Sequence, residues 1–377
     1  MPQNVPAWDD GEWSSLATLD GDVDADVCVI GLGGSGLTCI RELQSAGMRV
    51  VGVDGGSVGS GAAGRNGGFL LAGTADFYHD SVAALGRDRA HRIYELTLDQ
   101  IDRIAAETPD AVHRDGSVRI ATSNEERRDC DAQLAAMISD GLTAEVYTGP
   151  EGTGLFFPRD GAFQPLARCR SLALVALAEG ALLFELSPAV AFTRGLVETG
   201  AGRIHCTHII ACVDGRLEQL FPELAGRVRT ARLQMLGTEP LGHVRFTRPV
   251  YARWGYNYWQ QLPDGRVVLG GGRDSFVETE WTMSAVPTAE VQSELDRILR
   301  DEAGVTAKVT HRWAASVGYT TTGAPVLEQV RPGIWAIGAY SGTGNVIGAL
   351  YGRAVAQLVV NGHSDLWAQI NAGAAGA

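Results

Sequence analysis

The amino-acid sequence predicts an α/β chain of two lobes, one Rossmann-like and the other an α+β lobe built on a mixed or antiparallel sheet. Three observations carry that reading. Residues 27–54, VCVIGLGGSGLTCIRELQSAGMRVVGVD, read as buried strand, glycine turn, helix and second buried strand. Residues 333–360, GIWAIGAYSGTGNVIGALYGRAVAQLVV, repeat strand, glycine turn and helix near the other end. Between them, residues 256–271, YNYWQQLPDGRVVLGG, alternate as two strands about a PDG turn, where Pro fixes φ and Gly permits a positive φ. A chain of 377 residues, 45% of them hydrophobic, is too long for one compact core and fits two lobes.

The first unit is a Rossmann-like cradle. Gly31, Gly33 and Gly36 fit GxGxxG directly after the strand DVCVI. The first glycine permits the tight turn, the second lets backbone approach a diphosphate, and the third lets helix pack on strand. Leu37, Ile40 and Leu43 continue at helical spacing, and the helix stops near Gly47. Its N-terminal amides and dipole favour an anion. The next strand ends at Asp54, where a carboxylate accepts bonds from ribose hydroxyls and disfavours a 2′-phosphate. NADP is therefore disfavoured, while NAD and FAD remain.

The elements that follow decide between them. GSGAAGRNGGFL holds five glycines between Gly59 and Gly68, as expected if a long cofactor continues past the cradle. Ile93, Ile101 and Ile104 lie on a long helix ending at Pro109, and NEERRDCDAQLAAMISDG is a second helix closed by Gly141. From 244 to 272 the pattern is of strands. At the C-terminal end, a strand from Ile334 to Gly338 enters a glycine turn, and a helix begins near Gly344. Its N-terminus could set amides against an electron-rich ring such as the pyrimidine edge of a flavin. An NAD enzyme needs no return of its last fifty or so residues to the cofactor, whereas FAD is long enough to touch both ends of the chain. There is no internal repeat, and the small-residue tail NAGAAGA is expected to fray.

Composition excludes other classes. The formal charge is -13, and Lys308 is the only lysine. An acidic chain without basic clusters is a poor nucleic-acid binder. The start, MPQNVPAWDD, does not read as a signal peptide, and the longest apolar run, LALVALAEGALLF, is interrupted by Glu179 and too short to span a bilayer. A soluble, cytoplasmic protein is expected. Cys28, Cys39, Cys130, Cys169, Cys206 and Cys212 form no CxxC pair or zinc spacing and read as buried small hydrophobes. The eight histidines are scattered, so no metal is expected, and His79 reads as structural.

The sequence resembles the FAD-dependent D-amino-acid oxidase superfamily, nearest its gamma-glutamylputrescine oxidase-like and glycine oxidase-like branches. The resemblance rests on Trp8 and Trp13 ahead of DADVCVIG, then GAAGRNGG, SPAVAF, LPDGRVVLGGG, RWAASVGYTTTGAP and GAYSGTGN, in the family's order over nearly the whole chain. It implies non-covalently bound FAD, since the segment in which some relatives attach flavin, residues 314–320, has no cysteine. By the same resemblance Gly31, Gly33, Gly34, Ser35 and Gly36 would hold the pyrophosphate, with Asp54 and Gly55 at the adenosine ribose. Ala62, Ala63, Arg65, Asn66, Gly67 and Gly68 would follow the ribityl chain and flavin, and the Val190 backbone would meet the adenine. Gly342, Thr343, Gly344 and Asn345 would face the pyrimidine end of the flavin. Ala63 and Thr343 depart from the family, which often has serine and histidine there. The implied lobes are 1–80, 145–225 and 315–377 for FAD, and 81–144 and 226–314 for substrate.

Such an enzyme would oxidise the C–N bond of an amine or amino acid by hydride transfer to flavin N5, giving an imine that hydrolyses. The flavin carries the chemistry, so no catalytic acid or base is obligatory. Alternation places Trp254, Tyr256 and Tyr258 on one strand face, which would suit an arriving cationic amine or else pack on the core. Arg273, at a strand end, could bind a carboxylate or simply be solvated. Trp313 and Tyr340 read equally as pocket walls and as core aromatics. The electron acceptor would be oxygen or, in a dehydrogenase, a quinone or another protein. An NAD-dependent dehydrogenase and a flavin-binding protein without turnover are the alternatives from other classes.

Overall fold

The computed structural model describes residues 4–9 and 11–373. Its nucleotide-type sheet has six strands, in the order Leu182–Phe184, Val50–Val53, Val27–Ile30, His208–Cys212, Ile334–Gly338 and Val326–Arg331. The first five are parallel, and the last pairs antiparallel at the edge. Val27–Ile30 and Val50–Val53 are buried at every position, which is why they are continuous apolar runs rather than alternating ones. Val27 and Val29 face one core with Leu37, Ile40 and Leu43 of the helix Gly34–Ser45. Cys28 and Ile30 face a second core, shared with Val197 and Ile204 of a four-stranded sheet. Strand order reverses between Val27–Ile30 and His208–Cys212, and ligands of such sheets sit at the carboxyl ends beside that reversal.

The second large sheet has eight strands, in the order Val309–Thr320, Val228–Pro240, Arg266–Gly270, Asn257–Gln261, Val250–Ala252, Ser117–Ile120, Gly152–Phe157 and Glu145–Gly149. Only Val250–Ala252 and Ser117–Ile120 pair in parallel. Sheet membership corrects two expected lobe boundaries. Glu145–Gly149 and Gly152–Phe157 were expected with the cofactor lobe but complete this sheet. Val309–Thr320 crosses the expected break at 315 as one strand along Val228–Pro240, because an edge strand is held by its whole ladder. The helices Arg87–Glu107 and Asn124–Ser139 form as the periodicity predicts. The six cysteines are free and buried. Among the described residues no helix is long and apolar enough to cross a membrane. Of the tail expected to fray, 374–377 lie outside the described residues, while Asn371 closes the helix Asp365–Asn371.

Candidate functional site

The cradle forms where the strand Val27–Ile30 meets Gly31. That residue has φ +109°, and a Cβ on it would lie 2.6 Å from the Cys212 carbonyl oxygen, so only glycine fits. The helix starts at Gly34 with Gly33 as its N-cap, no side chain caps it, and no acid stands in its first turn. Its leading amides therefore keep their hydrogen-bonding capacity for an anion. Asp54 closes the cradle's far side. Its Oδ2 accepts from Leu32 N–H and its Oδ1 from Gly56 N–H, both at 2.8 Å. Burial raises this carboxyl above its ordinary value, and the two amides oppose that rise. Gly55 lies beside it, against Pro188.

Three segments far apart in sequence converge here. A Cβ on Gly33 would lie 3.1 Å from Cβ of Ala63, so the second glycine loop rests on the first. Asn345 Nδ2 donates to Asn66 Oδ1 at 3.1 Å and to the Phe69 carbonyl at 2.9 Å, which ties the C-terminal turn to that loop. Asn66 also donates to the Ala62 and Ala63 carbonyls and accepts from Gly68 N–H. Thr343 turns inward on Tyr340, donating from Oγ1 to its carbonyl at 2.7 Å. The helix after Gly342, Thr343 and Gly344 begins at Ile347, three residues later than expected, although Gly348 N–H already reaches the Gly344 carbonyl at 3.0 Å. Beneath the turn, Asp214 accepts from Tyr340 N–H at 2.9 Å and Gly318 N–H at 3.3 Å, and burial pushes it up to about 6.

Two predicted cofactor contacts have other partners. The Arg65 side chain donates from Nε to the Ala314 carbonyl at 2.8 Å and from Nη2 to the Asn4 carbonyl at 2.7 Å. It braces the loop from behind, and its backbone is engaged as well, the N–H with the Ala62 carbonyl at 3.2 Å and the carbonyl with Trp313 Nε1 at 2.8 Å. Val190 is exposed, and its N–H bonds the Glu198 carbonyl at 2.8 Å, which leaves the Val190 carbonyl as the free backbone group.

On the facing sheet, Tyr258 lies where the resemblance puts flavin and substrate. Its ring is 2.9 Å from where a Cβ on Gly67 would stand and packs edge-on to Phe69 at 5.8 Å. Trp254 and Tyr256 do not share its face, which corrects the alternation argument. Arg253, Trp254 and Gly255 take φ of +53°, +55° and +87°, so the chain turns there and the strand starts only at Asn257. Trp254 points to the helix Asn124–Ser139, its Nε1 donating to Asp129 at 2.7 Å. Tyr256 is 44% exposed. Trp313 is fully buried, edge-on to Trp8, and donates from Nε1 to the Arg65 carbonyl at 2.8 Å, so it is core rather than pocket wall. Tyr340 is buried between the two helix N-termini, its ring 3.3 Å from a Cβ position on Gly348. His79 sits in the helix Tyr78–Leu85 beside Phe77.

Arg273 makes no ion pair with any described residue. Its guanidinium carbon lies 4.4 Å from the Trp281 ring centre and 4.7 Å from that of Tyr319, and its buried Nε and Nη2 have no hydrogen-bond partner. The Tyr319 hydroxyl lies 3.9 Å from a Cβ position on Gly342, so one ring separates Arg273 from the C-terminal turn. Sequence reasoning did not find Tyr319, Trp281, Asp214 or Gln260, the last of which donates from Nε2 to the Gly67 and Gly68 carbonyls. An isolated polar or aromatic residue in a strand carries no periodic signal of such a role. The uncapped cradle and the orphaned arginine donors fit an elongated, anionic cofactor with a substrate bound beside it.

A family model described as FAD dependent oxidoreductase matches residues 26–358. The chain is 25% identical over 372 residues to a probable oxidoreductase OrdL of Haemophilus influenzae, covering 89% of this chain and 83% of that one. It is 24% identical over 380 residues to gamma-glutamylputrescine oxidoreductase of Escherichia coli, covering 92% and 86%. Among solved structures, glycine oxidase from Geobacillus kaustophilus superposes with TM-score 0.74 at 19% identity, over 89% of this chain and 94% of that one.

Proposed function

From the premise that the chain belongs to the family of FAD-dependent oxidoreductases, we propose that it oxidises the C–N bond of a small amino acid or related amine. The carrying observation is the unpaired Arg273 guanidinium, held between Trp281 and Tyr319 one ring away from Gly342. FAD, when bound, would supply the two-electron acceptor that converts the amine to an imine, which water then hydrolyses. The rest falls to this chain's residues. Gly31, Gly33, Gly34, Ser35 and Gly36 offer backbone to the diphosphate, and Asp54 and Gly55 flank the ribose. Ala62, Ala63, Asn66, Gly67 and Gly68 form one wall, and Gly342, Thr343, Gly344 and Asn345 the other. Tyr258 excludes water from the space between the loop and the sheet. Arg273 presents two free donors, the geometry that a carboxylate takes up.

The test is anaerobic mixing of the FAD-loaded protein with a panel of amino acids and their decarboxylated amines, read by loss of the visible flavin band. Bleaching by an amino acid, and much less by its decarboxylated partner, is the expected result. A panel that leaves the band intact rejects amine oxidation in favour of a flavin-binding role without turnover. A second reading, a dehydrogenase delivering electrons to a quinone or protein, is favoured by the lack of any lysine in Arg266–Gly270. Non-covalent attachment of FAD is part of the proposal, since 314–320 carries no cysteine. Acid precipitation should release yellow flavin to the supernatant, and colour retained in the pellet overturns that point.

A further inference from the structure

The helix Pro165–Ala178 lies against the cradle helix and buries Leu166, Cys169 and Leu172. Arg168 shares that buried face and is only 2% exposed. Its Nε and Nη2 are buried and make no hydrogen bond, and among the described residues it forms no ion pair. The protein treats another buried arginine differently. Arg232 is 7% exposed and makes a two-pronged bond to Glu280, at 3.0 and 2.6 Å. A buried guanidinium with no counter-charge is strongly unfavourable, so the lack of a partner at Arg168 requires explanation. Burial pulls it below its ordinary value, and Cys169 and Glu107 only partly oppose that.

The direction of the side chain supplies the explanation. Arg168 Nη1 lies 3.0 Å from where a Cβ on Gly34 would stand, at the first residue of the uncapped cradle helix. Leading amides and a buried cation therefore converge on one end of the cradle from two different helices. We propose that Arg168 is the counter-charge to the cofactor's diphosphate, a charged contact added to the backbone cradle from the helix Pro165–Ala178. This rests on the FAD reading above. Glycine at position 34 leaves room for the guanidinium, which a Cβ there would meet at 3.0 Å. Glu107 is the competing counter-charge, since its Oε2 is also buried without a partner, but its Oε1 lies beside Arg41, at 3.9 Å, and it forms no ion pair with Arg168.

The experiment compares wild type with Arg168→Met and with Arg168→Gln, which keeps a hydrogen-bonding side chain without the charge. Dissociation constants are measured for FAD, ADP, riboflavin and adenosine on the full chain, with melting temperature in the absence and presence of FAD. Both variants should bind FAD and ADP about 10- to 100-fold more weakly. Riboflavin and adenosine, which lack the diphosphate, should bind as they do to wild type. Without ligand, Arg168→Met should melt no lower than wild type, because an uncompensated charge has left the interior. Unchanged FAD and ADP affinity in either folded variant overturns the proposal, as does equal weakening for riboflavin and adenosine. Glu107→Gln should leave ADP affinity unchanged, and a loss there matching that of Arg168→Gln assigns the arginine to Glu107 instead. If wild type binds neither FAD nor ADP, it is the cofactor reading that fails.

Discussion

At the scale of single residues, the cradle separates groups that shape backbone from groups that hold ligand. Asp54 does both. It fixes Leu32 and Gly56 through their amides and presents its remaining lone pairs at the strand end. Asp54→Ala should therefore weaken FAD by the loss of a charged hydrogen bond, about 1.5–3 kcal/mol or roughly 10- to 150-fold. It should also lower the melting temperature of the flavin-free protein, since two amides lose their acceptor. Titration of the variant with FAD, followed by flavin fluorescence, checks the first point, and an unchanged dissociation constant removes Asp54 from the site. Arg273 makes the opposite case. Its donors are unpaired, and Arg273→Met puts a flexible thioether against the Trp281 and Tyr319 rings in place of the guanidinium. That variant should fold normally and show KM for a carboxylate-bearing substrate raised about 10- to 100-fold, with little change for an amine lacking the carboxylate. Equal loss for both substrates would make Arg273 a structural prop.

Elements join these residues, and the joint with the most leverage is the Asn66–Asn345 bond between two glycine turns 279 residues apart. Each asparagine also holds its own loop, so single alanine substitutions should each loosen flavin binding. Sharing one bond, the double variant should fall short of the sum by about 0.5–3 kcal/mol in a double-mutant cycle on FAD affinity. Strict additivity would mean that the turns act independently. The sequence made both turns legible because each is a short buried strand followed by glycines and a helical period, a local signal. What was not legible depended on distant partners. The alternation through Trp254 and Tyr256 predicted a strand, but Trp254 N–H to Glu126 at 2.7 Å and an Arg253–Asp274 ion pair hold a left-handed turn there instead. Arg168 reads in sequence as one more helix arginine, and only the packing of two helices exposes its lack of a partner.

For the whole molecule, the question is where positive charge stands relative to the flavin site, because oxygen reduction is favoured by a fixed cation where superoxide forms. Some superfamily members are expected to use a lysine for this, and this chain has one lysine, Lys308. It is exposed, its carbonyl accepts from Glu239 N–H at 2.8 Å, and it precedes the strand Val309–Thr320. The other end of that strand reaches the C-terminal turn, where Ser341 N–H bonds the Gly318 carbonyl at 2.9 Å. The ten residues from Lys308 to Gly318 span about 33 Å at a strand's rise of about 3.3 Å each, far beyond the reach of a lysine side chain. Arg273 is the cation near the turn, but its charge is delocalised over a guanidinium stacked on two rings, which makes it a weaker focus for a small anion. Reoxidation by oxygen should therefore be slower than in lysine-bearing relatives, and Lys308→Met should not change it. The measurement is to reduce the flavin anaerobically, mix it with oxygenated buffer, and compare wild type, Lys308→Met and Arg273→Met. A large slowing in Lys308→Met would place that lysine at the flavin and contradict the sheet geometry. Slowing confined to Arg273→Met would make the stacked arginine the oxygen-activating charge. If none of the three reoxidises rapidly while a quinone accepts electrons from each, the acceptor is not oxygen and the protein works as a dehydrogenase.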